Sequence, residues 1–228
     1  MAAARLVEVY LDLLSQPCRA VQILLSCSKI PHTLRPVALR KGEHRTPEFT
    51  KLNPMQKVPV LVDGDFVLTE SDAILKYLAN KHDVPDHWYP RQPERRARVD
   101  EYTAWHQTNT RPHAAKVFIL EVLLPAQSNS QVDEGRLIRA LSQLDDTLDK
   151  LEFMFLRRQP FLCGDDITVA DLLAVCELMQ PMGGGRDVLQ QRPQLQRWRS
   201  RVQSAVGESF DRAHAVLYGV RDRRKAKL

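Results

Sequence analysis

Short apolar runs alternate with stretches of helical periodicity along the N-terminal part of the chain. Leu6-Val-Glu-Val-Tyr-Leu11 is dense in β-forming residues and predicts a strand. Leu13-Leu-Ser15-Gln-Pro17-Cys18 then turns the chain, with Pro17 suited to open a helix that carries Val21, Leu24 and Leu25 on one face. His32 to Leu39 reads as an edge strand, because Pro36 lacks the donor a central ladder needs. After a polar loop, Lys57-Val-Pro-Val-Leu-Val-Asp63 and Phe66-Val-Leu-Thr69 flank Asp63-Gly64-Asp65, a hairpin signal. Ser71 opens a helix with Ala73, Ile74, Tyr77 and Leu78 together. Read from the residues, the order is strand, helix, strand, loop, two strands and a helix.

Three prolines between Val84 and Pro93 mark a linker, and beyond it the strand signals vanish. The clearest helix runs from Glu134 to Phe155, where Leu137, Leu141, Leu144, Leu148, Leu151 and Phe155 recur at spacings of 4, 3, 4, 3 and 4. Only about three heptads inside a mixed domain favour a bundle helix over a coiled coil. An earlier helix, from Glu94 to about Leu124, is expected to bend near Pro112. Thr168-Val-Ala-Asp171 has the form of a capping box, with Ile167 placed to staple it. Helical patterns at Leu195 to Val206 and Phe210 to Leu217 complete an all-helical second domain.

Composition narrows the class. At 228 residues, 43% hydrophobic and 27% charged, the chain can bury a core, and no uninterrupted apolar run approaches a bilayer span. Four scattered cysteines, without CxxC or zinc-finger spacing, read as reduced thiols. These features imply a cytosolic protein without membrane or nucleic-acid partners. The net charge of +5 is concentrated in the last eight residues, five of them basic against one acid. That tail reads as a solvated terminus, with nuclear targeting as the alternative.

Three spots carry chemistry. Ser15-Gln16-Pro17-Cys18 lies where a thioredoxin-like domain has Cys-x-Pro-Cys; with one thiol replaced by a hydroxyl, a dithiol cycle is excluded. A hydroxyl at a helix N-terminus can instead donate to a ligand thiolate, although a plain helix cap explains a serine there equally. Val58-Pro59 is a candidate cis peptide, which would offer the Val58 amide and carbonyl to an extended peptide. Thr69-Glu70-Ser71-Asp72 sits at another strand-to-helix turn, where Ser71 and free N–H groups favour a carboxylate and Glu70 an ammonium group; the ordinary reading is again an N-cap. Gly183-Gly184-Gly185 follows a helix and reads as a loop, not a nucleotide cradle. The closest histidine pairs, His82 with His87 and His106 with His113, lack ligand partners at metal spacing. Cys18 reads as a packed thiol.

The order of these motifs resembles the glutathione transferase family, theta class. The resemblance rests on Leu11-Asp-Leu-Leu-Ser15-Gln-Pro-Cys-Arg-Ala20, Asn53-Pro-Met-Gln-Lys57-Val-Pro-Val-Leu61, Asp63-Gly-Asp-Phe66, Leu68-Thr-Glu-Ser71 and Arg98-Val-Asp-Glu-Tyr102. It continues through Ile167-Thr-Val-Ala-Asp171-Leu172 and Ala205-Val-Gly207, so it covers most of the chain. It implies an α+β fold: a thioredoxin-like N-terminal domain (β-α-β-α-β-β-α, residues 5–83), a linker at 84–93, and an all-α domain at 94–220 holding an electrophile pocket, before the basic tail 221–228. It also implies that Ser15 activates the sulfur of glutathione, that Val58 pairs with the cysteinyl part, and that Glu70 and Ser71 hold the γ-glutamyl end. His44 and Lys57 would lie near the glycine end, and Thr108 and Arg111 on the electrophile side.

The implied activity is conjugation of glutathione, as co-substrate, to small electrophiles, with glutathione-dependent peroxide reduction as a further possibility. No metal or other cofactor is implied, and the partner is a second copy of the chain. The resemblance implies an extended C-terminal helix over the site, as theta-class chains usually carry, whereas the stretch after Gly207 is short here, which leaves open whether such a lid covers the site. Two rivals predict different outcomes. A non-catalytic module would keep the fold and bind ligands or proteins without chemistry, and a redox enzyme would depend on Cys18 alone.

Overall fold

The computed structural model describes residues 6–226. Strand β1 (Val7–Leu11) pairs in parallel with β2 (His32–Pro36) and antiparallel with β3 (Val60–Asp63), which pairs antiparallel with β4 (Phe66–Thr69). The sheet order β2-β1-β3-β4 leaves β2 at an edge, where the terminal Pro36 withholds no donor from a neighbour. Alternation along β1 sends Val7, Val9 and Leu11 into the core. Tyr10 on the opposite side meets Phe49 edge-on, 6.4 Å between ring centroids.

Phe49 belongs to α2 (Pro47–Leu52), within the stretch read from the residues as a polar loop and from the family resemblance as a helix. Thr46 caps it by accepting from the Phe49 amide at 3.3 Å, and Pro47 opens it, where no donor is needed. Helices α1 (Gln16–Cys27) and α3 (Ser71–Lys81) pack together. The expected hairpin and the Ser71 helix start are both present.

The second domain is built on α8 (Val169–Leu178), all ten of whose residues are buried. Against it pack α4 (Pro93–Thr108), α5 (Thr110–Phe118) and α9 (Pro193–Val206), and α6 (Leu124–Ser128), α7 (Glu134–Lys150) and α10 (Ser209–Lys225) complete the domain. The expected bend near Pro112 is a break at Asn109, whose side-chain amide donates to the Trp105 carbonyl at 2.9 Å. Pro112 then falls in the first turn of α5, where its missing N–H costs nothing. Single π-helical turns, Ile119–Leu123 and Leu151–Phe155, extend α5 and α7.

The capping box at Thr168 is present, and Asp171 reaches further. Its carboxylate accepts from the Thr168 amide and the Leu162 amide, each at 2.9 Å, and from the Trp198 indole at 2.8 Å. Gly183 and Gly184 are not in an open loop but in a 3-10 turn (Gln180–Gly184). A Cβ on Gly183 would lie 2.6 Å from the Phe118 ring and 2.7 Å from Leu217, so only glycine fits. The basic run continues α10 as far as Lys225, and Lys227 and Leu228 lie outside the described residues, as does residue 5. Among the described residues no helix is long and apolar enough to cross a membrane.

Candidate functional site

Helix α1 packs against both the sheet domain and α8, so its first turn stands at the junction of the two domains. Asp12 braces the approach: its carboxylate accepts from the Leu14 amide at 2.8 Å and the Leu39 amide at 3.0 Å. Ser15 occupies the N-cap position, yet its side chain makes no capping hydrogen bond, contrary to the plain-cap reading. The half-buried hydroxyl lines an apolar hollow of about 290 Å³. Leu14 and Leu39 from the sheet domain and Ala115, Phe118, Ile119 and Leu123 from the helical domain supply the apolar walls. Both domains therefore build it. Arg40 at its wall is the one ionisable lining residue, and Gln180 supplies a neutral polar group.

A narrow hollow opens on the other side of the same turn, where Pro17 forms part of its wall. It collects Lys57, Val58, Glu70, Ser71 and Arg111, five of the residues singled out from sequence, together with Asn53. The Val58–Pro59 bond is cis. Asn53, buried, holds the preceding loop by donating to the Lys57 carbonyl at 2.7 Å and accepting from the Met55 amide at 3.0 Å. Ser71 is 2% exposed at the start of α3, and its hydroxyl has no protein partner. Glu70, the residue before it, adopts φ +65°, a region that costs a non-glycine residue about 1–3 kcal/mol and recurs at ligand clamps. Free N–H groups, an unpartnered hydroxyl and Lys57 and Arg111 in the wall suit this hollow to a carboxylate.

Arg111 thus lines the narrow hollow and not the apolar one. Thr108 lines neither; its hydroxyl is turned back to the Trp105 carbonyl at 3.4 Å. His44 lies in a short turn (Glu43–Arg45), outside both linings, with a buried Nδ1 that has no partner. Behind Arg111, Glu177 of α8 is 2% exposed, and burial pushes its carboxyl up to about 8 against the pull of Arg111 and Arg19. Nothing in the pattern of α8 marks this glutamate as interior. Burial also pushes the Cys18 thiol up to about 11, which leaves it protonated at neutral pH. A redox role resting on Cys18 alone has no thiolate to work with. A larger hollow, about 500 Å³, lies apart between α7 and residues 186–192 and contains none of these groups. Among the described residues no three His, Cys, Asp or Glu side chains are placed to hold a metal ion.

Comparison with known proteins decides the family. Residues 9–88 match the family model for the glutathione S-transferase N-terminal domain, and residues 112–205 that for its C-terminal domain. Glutathione S-transferase theta-1 of Bos taurus is 49% identical over 96% of this chain and 92% of the relative. The chain belongs to the glutathione S-transferase family. Within that family the theta-1 transferase of Homo sapiens is also 49% identical, over 94% of this chain and 90% of the relative. Among solved structures, human glutathione transferase theta-2 in complex with glutathione and an unknown ligand superposes with a TM-score of 0.92 at 42% identity, covering 97% of this chain and 91% of that one. A human theta-class transferase in complex with the glutathione conjugate of 1-menaphthyl sulfate gives 0.92 at 43%, with the same coverage. This transferase therefore shares both domains and their arrangement with theta-class relatives.

Proposed function

We propose that this theta-class transferase conjugates glutathione to small apolar electrophiles, with Ser15 holding the thiolate. The observation that carries the reading is the Ser15 hydroxyl, free of any capping bond and exposed to the apolar hollow at the N-terminus of α1. A hydroxyl donating to a sulfur anion there acts with the positive end of the helix dipole. Lowering a thiol pKa by about two units needs about 2.7 kcal/mol, within reach of one charge-assisted hydrogen bond and the dipole together.

The remaining groups divide the co-substrate between them. Ser71, the first N–H groups of α3 and the cations Lys57 and Arg111 take the carboxylate of the γ-glutamyl end, Glu70 takes its ammonium, and the Val58 backbone aligns the cysteinyl part. The sulfur so placed faces the apolar hollow. Its lone pair forms the new bond to the electrophilic carbon, the leaving group departs with the electrons of the broken bond, and the thiol proton passes to solvent. Glutathione serves as co-substrate, with no metal or bound cofactor in the step. Two copies are proposed to pair as a homodimer; exposed Phe66 and Val67 on the edge strand β4 give that pairing an apolar surface.

The test is a pH titration of thiolate absorbance for glutathione bound to the wild-type protein and to Ser15→Ala. The bound thiol should ionise well below the ~8.5 of a free thiol, and the variant should lose that shift. Tight binding with an unshifted thiol in the wild type would replace catalysis by the binding-module reading.

A further inference from the structure

We infer that Arg19 and Gln180 form a clamp that fixes the Ser15 hydroxyl and ties it to the wall of the apolar pocket, which makes both of them positioning residues for the transfer step. The inference rests on the role proposed for Ser15. Arg19, one turn into α1, is fully buried, and among the described residues no carboxylate lies within ion-pair distance of it. Its terminal nitrogens donate instead to neutral oxygens, while its Nε has no partner. One terminal nitrogen donates to the carbonyls of Leu13 and Leu14, both at 3.1 Å, in the two residues that lead into Ser15. The other donates to the Cys176 carbonyl at 2.8 Å and to the Gln180 side-chain oxygen at 2.5 Å, both in the helical domain.

Gln180 closes the loop. It is 2% exposed, and its amide nitrogen donates to the same Leu14 carbonyl at 3.2 Å. It also lines the apolar hollow beside Ser15. The carbonyl one residue before Ser15 is thus gripped from two directions, by Gln180 of the helical domain and by Arg19 of α1, whose guanidinium is itself held by that domain. A planar guanidinium fork gripping carbonyls on both domains fixes direction as well as distance, which a lysine cannot reproduce. The Ser15 side chain makes no capping bond to the helix backbone and hydrogen-bonds the Cys18 thiol one turn on, so its aim depends on where this turn is held. Gln180 makes the same turn responsive to whatever presses on the pocket wall.

Gln180→Met keeps the volume and removes both polar contacts; Arg19→Lys keeps the charge and removes the fork. Each is compared with wild type by thermal melting, by glutathione titration, and by the pH dependence of kcat and of thiolate absorbance. The expected result for Gln180→Met is a glutathione Kd within about threefold of wild type, a kcat lower by about tenfold, and a bound thiol whose pKa rises by about one unit. Arg19→Lys should move the pKa the same way and further. A folded Gln180→Met protein that keeps the wild-type thiol pKa and kcat overturns the clamp, even if its melting temperature falls, because a purely structural contact would move only the latter. If the wild type itself leaves the thiol unshifted, the role of Ser15 fails first; if the wild type shifts it and the variants match, only the clamp fails.

Discussion

Asp171 gives the sharpest quantitative expectation. Replacing it by alanine removes one carboxylate and strands four buried donors, the amides of Leu162 and Thr168, the Thr168 hydroxyl and the indole of Trp198. A buried donor left without an acceptor costs about 1–3 kcal/mol, and loss of a helix cap about 1 kcal/mol, with some relief wherever water can follow. The net cost should be about 4–5 kcal/mol, a large part of the about 5–15 kcal/mol that holds a typical domain together. Asp171→Asn keeps one acceptor oxygen but turns an N–H toward a donor, and should cost about half as much. Equilibrium urea unfolding at fixed protein concentration, followed by tryptophan fluorescence, reads both variants, with Trp198 itself as a local reporter. A loss below about 1 kcal/mol for Asp171→Ala would show that these donors are satisfied some other way and refute the reasoning.

Other expectations follow from the same structure. Ser71→Ala should raise the KM for glutathione about tenfold with kcat nearly unchanged, since its unpartnered hydroxyl binds ground and transition states alike; steady-state kinetics at saturating electrophile read the split. Glu177 has its folded pKa raised to about 8 from 4.5, so its contribution to stability is complete below pH 4.5 and is lost as pH climbs to 8; melting temperatures across that range should fall less in Glu177→Gln. His106 and His214 are held down to about 3 from 6.5 by burial, so their contribution is complete above pH 6.5 and drains away on acidification, visible as a melting temperature that drops from pH 6.5 toward 4. Gly183→Ala should cost about 1–3 kcal/mol through collision with Phe118 and Leu217, measured by denaturant midpoint.

The legible parts of the chain are those where a local signal and the tertiary demand coincide. Alternation in β1, the Gly64 turn and the leucine stripe of α7 each state their own burial, and the structure adds little. The short helix α2 escaped the periodicity because six residues make under two turns, although Thr46-Pro47 announces a helix start. Both π turns are invisible in the pattern, since each stands at the end of its helix and displaces no apolar position within it. Ser15, Glu70 and Ser71 are legible because turns between strand and helix expose backbone donors there, Val58 because a proline follows it at a strand start, and Lys57 only through the family resemblance. Arg19, Asn53 and Glu177 were not, because a polar residue in a helix or loop reads as surface until a second domain is seen to cover it. Arg111 had no local mark beyond its neighbours, and only packing assigns it to the narrow hollow.

The buried guanidinium of Arg19 also bears on modularity. A thioredoxin-like half produced alone would face water with an arginine whose partners, the Cys176 carbonyl and Gln180, belong to the missing half. Exchange of helical domains between relatives is then constrained at this spot: a donor half is interchangeable only if it returns an acceptor pair to that place. Recombination between the two halves must therefore respect this interior arginine, along with the contacts of Lys76 to Asp100 and Thr103 that also cross between them.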